Sequence, residues 1–323
     1  MKKDQPSIDE TGLLVDLSEA TDSVKNGKFE HALNLLKIIL KENSDNIDAL
    51  YLASVSSRYL KEYAESKNYL EQLLSIAPDM GRAYQELGHL NRDKGDDERA
   101  FVFYRQACEL NPALKASWNF LHQYFKKNNN IPAASHALEK INKLESIPSL
   151  LLYIDQILNE GRLGLAEAKC RAFLKENPTH TYAMSLLAEI ANRLGYLDDA
   201  ELLLEKAVGF QPNDGDLRMK YASILRKKQK FKKSLEQVNL LCEQYPDNLL
   251  FQGQRASEIM QSGNHEEAIR LLDEILAKNP HNFGSLTSKG HALKTLGKTE
   301  EAIESYQSAY KIMPDHGEAF FSL

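Results

Sequence analysis

At 323 residues, with 42% hydrophobic and 27% charged residues, the chain could hold one large domain, a few small ones or a repeat array, and its composition excludes a disordered or collagen-like polymer. A net charge of −6 shows neither the basic excess of a nucleic-acid binder nor an acidic tail. Cys108, Cys170 and Cys242 stand far apart in the chain, which makes no disulfide framework, fits no zinc pattern and points to a reducing compartment.

In chain order, Met1 to Glu10 is polar and has no apolar run behind its two lysines, so residues 1–11 are expected to form a disordered tail without a secretory signal. The longest aliphatic and aromatic run, Leu150–Ile154, is far short of a membrane span. A cytoplasmic protein that does not contact a membrane is the expectation.

From there the chain repeats. Pro112 follows Pro78 at an interval of 34, and Pro178, Pro212, Pro246, Pro280 and Pro314 follow one another with the same period. Ser44 and Ser146 complete nine phase points. Twelve residues before each point stands a small residue: Ala32, Ser66, Ala100, Ala134, Ala166, Ala200, Ser234, Ala268 and Ala302. Seventeen before, six of nine are glycine, from Gly27 to Gly297. Positions eight and five before are apolar throughout, as in Tyr104 and Ala107 or Tyr306 and Ala309.

Within one unit the apolar residues recur at intervals of three and four on two segments, which predicts two helices. The glycine column falls between them, where a helix end requires a left-handed residue. The proline column ends the second helix, beside Asp or Asn residues able to cap the next. Each unit reads as a helical hairpin that cannot bury its apolar face alone, so successive units must stack.

The sequence Tyr84…Leu87-Gly88…Gly95…Ala100…Tyr104…Ala107…Pro112 resembles the tetratricopeptide repeat family, and Leu286…Gly290…Gly297…Ala302…Tyr306…Ala309…Pro314 is similar to it as well. The resemblance covers residues 13–316, about nine units, of which those ending at 44, 146 and 246 depart most. It implies an all-α, right-handed superhelical solenoid whose concave groove is lined by the first helix of each hairpin. It also implies a non-enzymatic scaffold that binds a peptide or protein segment there.

The array is two residues short between Gln123 and Pro148, with Asn129 at the glycine column and His122 where Gly, Ala or Ser usually stands. Either the hairpin is locally repacked or the array bends, dividing hairpins 1–4 (12–146) from hairpins 5–9 (147–316).

Candidate chemistry is sparse. Ala292 to Thr299 fits a relaxed phosphate-loop pattern, but no strand precedes it and Gly297 is the glycine column. Arg226 to Lys233 holds six basic residues in eight across a hairpin turn, where cations also suit the end of the preceding helix. No nucleophile, acid–base pair or metal set emerges, so neither a catalytic residue nor a cofactor is expected. Twenty residues before the phase points, Arg58, Arg92, Lys126, Arg226 and Lys294 form a basic column. By the family geometry they lie near the groove with Arg82, His89, Asn119 and Gln123, as a cationic ladder for an acidic segment or as compensation of helix dipoles. The expected partner is a protein or peptide, favoured if acidic, and not nucleic acid.

After Pro314 the chain begins a tenth hairpin, residues 317–323, and stops within it, leaving Phe320, Phe321 and Leu323 to pack on a partner or a following domain. The phrase Pro314 to Leu323 also resembles the junction in bacterial proteins that join tetratricopeptide repeats to a sulfotransferase domain. The alternative reading is therefore the substrate-recruiting arm of a larger enzyme.

Overall fold

A computed structural model describes residues 17–314, and the backbone of Ser7–Ile8 and Leu14–Val15. These last two segments, β1 and β2, pair antiparallel as a two-residue ladder. Ser7–Ile8 falls within residues 1–11, expected as a disordered tail, and its partner Leu14–Val15 just beyond them. The other residues of 1–11, and the expected stub 317–323, lie outside the described residues.

The rest is helical. The first three hairpins are α1 (Leu17–Lys25) with α2 (Phe29–Glu42), α3 (Ile47–Tyr59) with α4 (Tyr63–Ile76), and α5 (Gly81–Asp93) with α6 (Asp97–Leu110). The next three are α7 (Lys115–Lys127) with α8 (Ile131–Glu145), α9 (Ser149–Asn159) with α10 (Leu163–Glu176), and α11 (Thr181–Arg193) with α12 (Leu197–Phe210). The last are α13 (Gly215–Lys227) with α14 (Phe231–Gln244), α15 (Leu249–Gln261) with α16 (His265–Lys278), and α17 (Phe283–Thr295) with α18 (Thr299–Ile312). Nine hairpins are therefore present among the described residues, one per sequence repeat.

The column chemistry explains each hairpin. All nine residues of the glycine column have positive φ, including Lys61 (64°), Asn129 (54°) and Gln229 (58°) where glycine is absent. Asn129 thus keeps the left-handed turn in hairpin 4. Turns close by a left-handed motif, as where Gly95 N–H donates to Arg92 O and Asp96 N–H to Asn91 O, both at 2.9 Å. The first helices α3, α13 and α17 are capped by Asn46, Asp214 and Asn282, whose side chains accept from Ala49, Leu217 and Ser285 N–H.

Every residue of the small column is buried. There the two helices of a hairpin approach closely: Ser66 Oγ donates to Ser54 O and Ser234 Oγ to Ala222 O, both at 2.9 Å. Gly88 faces the buried ring of Tyr104, where an added Cβ would lie 2.8 Å from ring carbons. Gly290 faces Tyr306 in the same way.

Hairpin 4 departs from the pattern. Leu138, in the apolar column, is 43% exposed, and Ala137 is buried instead. His122 accommodates its place by hydrogen-bonding Ala134 O at 2.9 Å. The two-residue deficit is absorbed downstream, because α9 has 11 residues where the other first helices from α3 onward have 13.

Two compact units are present, residues 1–166 and 167–323, with the division inside α10. In the first, α1 packs beside α3, α3 beside α5 and α5 beside α7; in the second, α11 packs beside α13 and α15 beside α17. Side chains repeated on successive first helices therefore share one face within each unit.

Candidate functional site

In the first unit the first-helix face is dominated by paired charges. Arg58 of α3 is 7% exposed; its Nε donates to Glu86 of α5, and its Nη1 to Asp93 at 2.7 Å. Burial pushes the Glu86 carboxyl upward against the pull of Arg58, while Glu86 and Asp93 keep Arg58 charged. Arg82 donates from Nε and Nη2 to Glu160, the second bond at 2.8 Å. Its guanidinium lies 4.5 Å from the centre of the Tyr51 ring, and burial pushes the Tyr51 phenol up to about 12. Arg162 donates to Asp48 at 2.8 Å, and Asn159 Nδ2 to Asn111 Oδ1 at 3.4 Å. The turn after α9 is thus seated on the N-terminal ends of α3 and α5 and on the cap of α6. A cavity of about 720 Å³ lies beside it, lined by Asp45, Asp48 and Asp79 with Ile47, Ile76 and Met80.

His89 hydrogen-bonds the Tyr104 hydroxyl at 2.6 Å. Burial first, then Arg58 and Arg92, push its imidazole down to about 4. Arg92 is exposed and donates to its neighbour Asp93 at 3.2 Å. Asn119, Gln123 and Lys126 lie at i, i+4 and i+7 on α7, all exposed, and no side-chain hydrogen bond or ion pair to a described residue engages them.

In the second unit the first-helix faces combine neutral partners with carboxylates. Lys220 Nζ donates to Ser185 Oγ at 2.7 Å and Lys227 Nζ to Asn192 Oδ1 at 2.8 Å. Arg226 Nη1 meets the fully buried Glu258 at 3.3 Å. Lys294 is exposed near the end of α17. In the basic run, Lys228 binds Asp198 and Glu201 of α12, and Lys230 binds Glu201 at 2.7 Å. Gly297, at φ 76°, is the α17–α18 turn. Cys108 and Cys170 are buried, and Cys242 is half-buried.

Sequence columns named the cations and missed their counter-ions, Glu86, Asp48, Glu160 and Glu258. Glu258 carried a signal, because its column also holds Leu90, Ile190, Ile224 and Ala292. Glu160 carried none, since a bond to a residue so distant in sequence as Arg82 has no periodic trace.

The tetratricopeptide repeat models match residues 47–80 and 81–114, and 158–215 and 254–316, together more than half of the chain. The chain belongs to the tetratricopeptide repeat family. Tetratricopeptide repeat proteins act as protein-interaction scaffolds. A TPR repeat-containing protein of Methanocaldococcus jannaschii is 20% identical over 92% of this chain and 42% of its own length. Anaphase-promoting complex subunit 3 of Schizosaccharomyces pombe is 21% identical over 88% of this chain and 43% of its own. The chain thus spans less than half the length of these curated relatives. A tetratricopeptide repeat protein from Parabacteroides merdae, of known crystal structure, covers 95% of both chains at 14% identity with a TM-score of 0.41. No described helix is long and apolar enough to cross a membrane.

Proposed function

We propose that the chain is a non-enzymatic scaffold that holds a peptide or protein segment against its first-helix faces, and that the segment is acidic. The observation that carries this reading is the α7 stripe. Asn119, Gln123 and Lys126 are exposed, share one helix face and are not consumed by internal bonds, and the exposed Arg92 stands on the adjacent α5. Lys294 is the corresponding exposed cation of α17. Arg58, Arg82, His89 and Arg226 set the geometry of these faces, because their bonds to Glu86, Glu160, Tyr104 and Glu258 are already made. The reading of the chain as the recruiting arm of a larger enzyme rests on residues 314–323 alone.

Single exposed cation–carboxylate contacts contribute only about 0–1 kcal/mol, so several must act together. The test is fluorescence anisotropy of an acidic peptide library on the full chain. Binding should weaken as added salt shortens the Debye length from about 30 Å to about 8 Å. The combined R92Q and K126Q variant should lose most of the affinity with helicity intact. Equal affinity of variant and parent at low salt sinks the proposal.

A further inference from the structure

Two basic residues occupy the same register in successive hairpins. Lys289 of α17 stands one repeat after Arg255 of α15, and Asp273 of α16 stands one repeat after Asn239 of α14. In the later pair, Lys289 Nζ meets Asp273 Oδ1 at 2.6 Å and the charge is balanced. In the earlier pair a neutral amide stands where the carboxylate would be.

The exchange leaves a mark. Arg255 Nε and Asn239 Oδ1 are both shielded from solvent, and neither has a hydrogen-bond partner. Both line a cavity of about 180 Å³ walled by Leu235 and Ile259. In earlier hairpins the column of Arg255 holds the buried Leu87, Leu121, Leu187 and Tyr221, so a guanidinium occupies a position built for apolar packing. The local acid does not compensate it: Glu267 also lines the cavity, but its carboxylate accepts from Asn264 Nδ2 at 2.6 Å and forms no ion pair with Arg255. Arg255 is half-buried, but its shielded Nε–H without an acceptor is costly, and a polar cavity beside it is where an acceptor can be supplied.

We propose that the Arg255–Asn239 cavity binds a carboxylate carried by a ligand, which supplies to Arg255 the charge that Asp273 supplies to Lys289. Arg255 Nε–H donates to one carboxylate oxygen. The Asn239 amide, turned half a rotation about its last torsion, donates Nδ2–H to the other. The cavity admits a carboxylate group and its attached carbons, so the source is a small organic acid or the acidic end of a peptide. The site is distinct from the α7 stripe and does not rest on it.

The test uses the full chain and follows the Arg255 Nε–Hε resonance together with hydrogen exchange of α14 to α16. Sodium acetate is titrated against sodium chloride at equal ionic strength. A saturable shift of that resonance by acetate alone, with slower exchange in α14 to α16, is expected. Asn239→Asp, close in size to the parent residue, should slow exchange without acetate and remove the acetate response. Arg255→Leu, which restores the column's apolar type, should also abolish the response. Short peptides with a free or an amidated C-terminus separate the sources: a shift by the free-ended peptide at concentrations where acetate is inert assigns a peptide end, and the reverse assigns a small acid. An unmoved resonance, a shift by the amidated peptide, or an undiminished acetate response in Asn239→Asp overturns the proposal and leaves the cavity to water.

Discussion

Basic residues in the two units are met by different kinds of partner. In residues 1–166, Arg58, Arg82 and Arg162 are each met by carboxylates, from Glu86 and Asp93, Glu160, and Asp48. In residues 167–323, Lys220 and Lys227 bond to a hydroxyl and an amide, and Arg226 alone of the three meets a carboxylate. A neutral partner holds a cation in place without cancelling its charge, whereas a buried carboxylate makes the cation part of the fold. The partner, rather than the charge of the basic residue, decides whether that residue becomes part of the fold.

The largest effect is expected from removing the acid of the most buried ion pair. Glu86, 3% exposed, faces Arg58, 7% exposed, and Glu86→Ala would leave that guanidinium with Asp93 only. The expected loss is about 3–5 kcal/mol of local stability, the usual effect of breaking a buried pair by one partner. Hydrogen exchange should accelerate through α3 to α6, while the amides of α13 to α18 keep their protection, as expected where repeats contact only their neighbours. Acceleration spread evenly over all hairpins would show that Arg58 and Glu86 are not a local support.

The same cluster sets a pH dependence. His89 is held neutral in the fold down to about 4, whereas an unfolded imidazole takes its proton near its ordinary value of about 6.5. Between those values the unfolded chain binds the extra proton, so stability is constant above that window and falls as the pH drops through it. The loss at the bottom of the window is at most about 3 kcal/mol. Arg58 and Arg92 face His89, as does Asp93, which burial pushes up but the two arginines hold below its usual range, so its contribution is lost at lower pH. Denaturation of the parent and of His89→Asn, followed between pH 7 and pH 4, should show a flatter slope in the variant. Parallel slopes would remove His89 from the account.

Much of the fold was legible because a solenoid writes its contacts at one spacing. The buried small column and the positive-φ turn column are local requirements of every hairpin, and both recur once per repeat. Hairpin 4 was harder, since no proline marks its phase point; Ala134 and Ile141 are buried in their columns, but Leu138 is exposed beside the buried Ala137. The candidate site was half legible. Its cations fall in columns, but their partners come from neighbouring or distant hairpins, as Arg82 with Glu160 and Arg162 with Asp48 illustrate. Such pairs depend on how helices lie beside one another, which the repeat period does not encode.

The least change is expected at Lys227, in the second unit. Lys227 is exposed, and its bond to Asn192 Oδ1, at 2.8 Å, is to a neutral amide. Lys227→Ala removes one exposed polar contact and strands no buried charge, so its effect on stability should stay within about 0–1 kcal/mol. Exchange of α11 to α14 should be unchanged within error. If Lys227→Ala destabilises its unit as much as Glu86→Ala does the other, neutral partners fix cations as firmly as carboxylates. A negligible change beside a large one at Glu86 means that the second unit's lysines are held loosely enough to exchange an internal amide for a ligand's carboxylate.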